Sequence, residues 1–122
     1  MGDISSNISK HEIECKCKCG KADINPDVID MWQGACDHFS EMLNRPVVLK
    51  IGSGCRCEDH NKAEGGAKDS QHRLGNAIDG KILGVAHFKL FNYFDSKYPD
   101  SHGIKLYTTF VHGDCRAKKW RE

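Results

Sequence analysis

Proline, aromatic bulk and surplus charge are all scarce in this chain. It carries 3 prolines in 122 residues, so few elements are forced to stop for want of a backbone N–H. Aromatic residues make up 8%, and no apolar run approaches the roughly 20 residues that would span a bilayer. Lys and Arg number 18 and Asp and Glu 17, a net charge of +1 with both signs mixed along most of the chain. That balance speaks against nucleic acid as the main partner. The one local bias is the tail, where Arg116, Lys118, Lys119 and Arg121 cluster. It reads either as a solvated end or as a patch that attracts an anionic polymer. The opening Met1-Gly2-Asp3-Ile4-Ser5-Ser6 has neither a basic start nor an apolar stretch, unlike a secretory signal. Synthesis in the cytoplasm is therefore expected, unless a leader has been removed. The length fits one domain and is too short for two. Residues 11–122 are expected to form it as a monomer, with residues 1–10 flexible.

Cysteine, by contrast, is plentiful. There are 7, an odd number: Cys15, Cys17, Cys19, Cys36, Cys55, Cys57 and Cys115. In Cys15-Lys16-Cys17-Lys18-Cys19, alternate side chains of an extended strand would share one face. With Cys55 and Cys57 these thiols suit either a structural metal or disulfides.

The clearest element is a helix over Pro26 to Leu43. Asn25 is a good N-cap, Pro26 suits the first helical position, and Asp27 and Asp30 favour the positive end of the dipole. Val28, Ile29, Trp32, Ala35, Cys36, Phe39, Met42 and Leu43 recur at helical spacing as one apolar stripe. Cys36 on that stripe reads as a small buried hydrophobe. Strands are expected at Val47 to Ile51, broken by Gly52-Ser53-Gly54, then at Ala77 to Leu83, Gly103 to Tyr107 and Thr109 to Asp114. Shorter helices are expected at Glu58 to Glu64 and Val85 to Lys97, the latter carrying Phe88, Leu90, Phe91 and Phe94. Helices and strands do not alternate strictly. The fold class is α+β, a small antiparallel sheet packed with helices.

Chemistry concentrates in Ser70-Gln71-His72-Arg73-Leu74-Gly75-Asn76-Ala77-Ile78-Asp79 and in Phe110-Val111-His112-Gly113-Asp114. Gly75 permits a tight turn between His72 and Asp79, and a strand can hold the Asp79 carboxylate rigid. His112 and Asp114 are two apart and project from one strand face. Two histidines and a carboxylate with an open fourth position make the donor set of a catalytic zinc rather than a structural one.

Gly52-Ser53-Gly54-Cys55-Arg56-Cys57-Glu58-Asp59-His60-Asn61, then Gly65-Gly66-Ala67, then Ser70-x-His72-x-x-Gly75-x-Ala77-x-Asp79 resemble the M15 family of zinc peptidases. That family comprises D-alanyl-D-alanine carboxypeptidases and peptidoglycan endopeptidases, including phage endolysins, and shares its fold with the hedgehog signalling domain. The segment from Ser9 to Gly20 resembles the opening of small phage-type members, and His112-x-Asp114 with Arg116 and Trp120 resembles their close. The resemblance implies zinc on His72, Asp79 and His112, with Arg56 binding a substrate carboxylate through its bidentate guanidinium. Ser70 matches the serine before the metal histidine, as a helper hydrogen bond or as a plain loop residue. Hydrolysis would use the metal as Lewis acid and a carboxylate to move the proton.

Two features depart from the family. Many members carry Asp or Glu three residues before the last zinc histidine, where this chain has Thr109. Asp114 is then a candidate for the base or for the residue that orients His112; His102 is a remoter candidate. Cys55 replaces a common aromatic residue. The implied function is zinc-dependent hydrolysis of peptidoglycan stem peptides or cross-links at the cell wall, of the phage or prophage endolysin type. The alternatives are a carboxypeptidase trimming terminal D-alanine and a non-catalytic zinc-binding recognition module of the same fold.

Overall fold

The computed structural model describes residues 5–13, 24–54 and 76–122. Cys15, Cys17, Cys19, Cys55, Cys57 and the helix expected over Glu58 to Glu64 lie outside the described residues. So do the site candidates Arg56, Ser70 and His72.

The described elements run α1 (Lys10–Ile13), α2 (Pro26–Leu43), β1 (Leu49–Ser53), β2 (Ala77–Ile82), α3 (His87–Lys97), β3 (Gly103–Leu106), β4 (Val111–Asp114) and β5 (Trp120–Arg121). The strands form one sheet in the order β1-β2-β4-β3-β5. All pairs are antiparallel except β3 with β5. This is the expected α+β architecture.

Helix α2 begins and ends where its local chemistry dictates. Asn25 Oδ1 accepts the Asp27 N–H at 2.9 Å, and Pro26 fills the first turn. Asn44 closes it in the left-handed conformation, at φ 54°, and its N–H donates to Glu41 and Ser40 carbonyls. Val28, Ile29, Met31, Trp32, Ala35, Cys36 and Phe39 are buried. The stripe stops there: Met42 is 60% exposed and Leu43 37%. On α3, Leu90 and Phe94 point inward, while Phe88 is 55% exposed. Trp32 and Phe94 meet edge to face at 5.0 Å and join the two helices over the sheet.

Several boundaries differ from expectation: β2 ends at Ile82, β3 ends at Leu106 and β4 starts at Val111. Strand β1 runs through Gly52 and Ser53 rather than breaking there, because a register shift between Ile51 and Ser53 absorbs the irregularity. Val47 is buried but lies before the strand, and α3 starts at His87 rather than Val85. The segment from Ser5 to Ser9 packs against α2 and the Val47 backbone. Ser5 Oγ and the Asn7 N–H both donate to Gln33 Oε1, at 2.6 and 2.9 Å. Asn7 Nδ2 donates to the Val47 carbonyl at 2.9 Å, and Ile8 is fully buried. Glu12 accepts the Ser9 N–H at 3.0 Å, which caps α1 and drives Ile13 into the core.

Candidate functional site

Register places the chemistry. Asp79 on β2 stands directly opposite His112 on β4, and Asp114 lies two residues further along β4 on the same face. The other face of these strands is core: Ile78, Ile82 and Val111 are buried. The residues after these two candidate side chains, Asp79 and His112, are Gly80 and Gly113, and both press on Trp32. A Cβ at Gly113 would lie 3.1 Å from Trp32 Nε1, and one at Gly80 3.4 Å from its ring. Trp32 Nε1 donates to the Gly113 carbonyl at 3.3 Å. The strands under Asp79 and His112 are thus backed by a buried indole.

His112 sits between two carboxylates. Its Nδ1 is 2.7 Å from Asp79 Oδ1, and its Nε2 is 2.7 Å from Asp114 Oδ2. Burial works against charge on the ring, but hydrogen bonds to Asp114 and Asp79 outweigh it and raise its proton affinity. Asp114 is enclosed, its side chain 0% exposed. Its Oδ1 accepts the Gly103 N–H at 3.0 Å, the Arg116 N–H at 3.1 Å and Arg116 Nε at 2.8 Å. Its Oδ2 accepts Arg116 Nη2 at 2.6 Å. Burial alone would raise the Asp114 carboxyl, but hydrogen bonds from His112 and Arg116 hold it well below the usual carboxylate range.

The donor set suits a metal. A ligating histidine characteristically gives its second nitrogen to a carboxylate, which fixes tautomer and ring plane. Asp114 is placed to do this at Nε2, while Nδ1 faces the Asp79 carboxylate. Among the described residues no group of three or more His, Cys, Asp or Glu is placed to hold a metal. His72, the remaining expected ligand, lies outside them, as do Arg56 and Ser70.

The surroundings use residues whose parts the sequence only hinted at. The Arg116 guanidinium lies 4.5 Å from the Trp120 ring centre, and Trp120 meets His112 edge-on at 5.9 Å. Arg121 donates to Asp95 and to the Tyr98, Ser101 and His102 carbonyls. Arg116 and Arg121 therefore do structural work, and the tail is neither a free solvated end nor a four-residue basic patch. The His102 ring stacks on Tyr98 at 3.7 Å, with Nδ1 2.7 Å from Ser101 Oγ. Cys36 and Cys115 are free thiols, and Cys36 is buried as expected.

Beside Asp79 opens a cavity of ≈ 420 Å³, lined by Lys50, Ile51, Gly52, Gly80, Lys81, Thr109 and Phe110. The stacked rings of Tyr107 and Phe110, 4.3 Å apart, brace the Thr108-Thr109 turn at its edge. Asp79 is the one carboxylate among the described residues of this lining.

Among the described residues no helix is long and apolar enough to cross a membrane. No curated protein and no solved structure matches the chain. The family model described as Peptidase M15 matches residues 6–114, which includes every residue of the Asp79, His112 and Asp114 cluster. With nearly its whole length matched, the chain belongs to the M15 peptidase family.

Proposed function

We propose that this peptidase is zinc-dependent and cuts peptide bonds of bacterial peptidoglycan at the cell wall, as an endopeptidase of the phage or prophage endolysin type. The observation that carries the reading is the chain of contacts from Asp79 through His112 to Asp114 and Arg116. Asp79 and His112, with His72, would hold the metal. Bound zinc would supply Lewis acidity, polarising a peptide carbonyl for attack by water. Asp114 orients His112 and keeps a proton on Nε2, since Arg116 and the Gly103 N–H already engage its oxygens. Arg56 would anchor a substrate carboxylate, and Ser70 would support the His72 loop.

One observation favours a second reading, a zinc-binding recognition module without catalysis. Thr109 stands in the cavity wall where many relatives place a carboxylate, and Asp114 is fully engaged elsewhere. Digestion of purified peptidoglycan by zinc-loaded protein, with fragments identified by mass spectrometry, separates the possibilities. New amino termini within cross-links support the endopeptidase, and released D-alanine alone would indicate a carboxypeptidase. An intact wall at full zinc occupancy would leave the recognition module.

A further inference from the structure

Lys50 and Lys81 face each other directly across the β1–β2 pair. Side chains so placed have Cβ atoms about 4.5–5.5 Å apart, and like charges there are destabilising. Neither ammonium group has an ion-pair or hydrogen-bond partner among the described residues. Lys105, on the same sheet face, is answered by Glu122 at 3.4 Å and by the Tyr107 ring. Acidic residues are not scarce, with 17 against 18 basic ones. The unanswered pair is therefore not a by-product of a basic surface.

Both lysines line the cavity that holds Asp79. Lys81 follows Asp79 by two residues on one face of β2, about 7 Å along the strand. An extended peptide advances about 3.3–3.6 Å per residue, so that distance spans about two of its residues.

We propose that Lys50 and Lys81 form an anion subsite of this cleft, which holds a carboxylate of the peptide substrate one or two residues from the bond that is cut. The inference rests on the peptidase reading of the Asp79 cavity and adds a substrate class, acidic peptides. A carboxylate between the two ammonium groups replaces repulsion with a pair of charge-assisted hydrogen bonds. Ammonium groups are compact charges on flexible stems, so the subsite reads charge and reach rather than planar orientation.

The test uses two synthetic stem peptides that differ only in a glutamate carboxylate against its glutamine amide near the scissile bond. Wild-type protein loaded with zinc should prefer the acidic peptide by about tenfold in kcat/KM, carried by KM. The preference should shrink as salt rises. In Lys50→Met/Lys81→Met it should vanish, with zinc content unchanged and thermal stability no lower, because a like-charge pair has been removed. Equal use of both peptides by the wild type, or an undiminished preference in the variant, overturns the subsite. Cleavage of neither peptide would count against the peptidase reading instead. Calorimetric binding of the same two peptides then decides the subsite: a lysine-dependent preference for the acidic one supports it, and equal affinity overturns it.

Discussion

Asp114 is enclosed and charged at once, a combination that survives only because every direction around its oxygens offers a donor. Arg116 supplies most of them, and it is itself steadied against Trp120. Asp114→Asn keeps the shape and removes the charge. Zinc affinity should fall by roughly tenfold or more, with activity recovered by excess metal, as expected when the residue behind a ligating histidine is altered. Chelator competition and turnover measured on the same samples check this. A loss on the order of 100-fold in rate at unchanged zinc content would instead make Asp114 the proton acceptor. Gly103 is a quieter member of the cluster. A Cβ there would collide with the Asp114 carboxylate and with Arg116 Nε. Gly103→Ala should therefore destabilise the metal-free protein by about 1–3 kcal/mol, read by urea denaturation.

Cys36 illustrates the opposite case, burial without a counter-charge. Desolvation, helped by neighbouring Asp37, pushes its thiol from 9.0 up to about 12. In the unfolded chain the thiol would ionise near its ordinary value, while the folded one stays protonated. The contribution to stability is thus fully present below about pH 9 and is lost as pH rises towards about 12. Alkylation at pH 8 followed by peptide mapping should leave Cys36 unmodified in the native protein and modify it once unfolded. Labelling in the native state would mean that the α2 face opens.

Among the elements, α2 was fully legible, since Asn25, Pro26 and the apolar spacing are local signals. The exposure of Met42 and Leu43 in its last turn was not, because burial there depends on which elements pack against the helix. The same limit applies to β1, whose shifted register depends on pairing with β2. The contacts of the segment before α1 are hidden in the sequence for a different reason. Ser9 and Glu12 form a capping pair, but a helix of four residues gives too short a period to notice. Its docking is testable: Ile8→Ala should cost about 2–4 kcal/mol by chemical denaturation, as for a buried residue. A change within experimental error would mean that this stretch is not part of the folded unit.

At the scale of the molecule, the site joins parts of the sequence that are distant. Asp79 and His112 are 33 residues apart and meet at 2.7 Å through strand register. Spacing within the second motif was enough to put His112 and Asp114 together, and family resemblance was enough to pair them with Asp79. The part played by Arg116 and the facing of Lys50 by Lys81 depend on contacts and register that no local pattern encodes. Because a metal held by the folded protein alone shifts the unfolding equilibrium, zinc at about 100 times its Kd should add about 2.7 kcal/mol of stability. Thermal unfolding with and without chelator measures that gain, and an unchanged Tm would argue against a native-state site.

The chain has 2 tryptophans, and the fold brings both to the same histidine strand. Trp32 is bonded behind Gly113, and Trp120 stands edge-on to His112. One indole is buried and the other half-exposed, so the two should emit at different wavelengths. No other tryptophan dilutes the signal. Intrinsic fluorescence of the unlabelled protein should therefore report events at His112 directly: a quenching ion or an arriving peptide would register mainly on the redder, more exposed emitter, while loosening of the core would register on the bluer one.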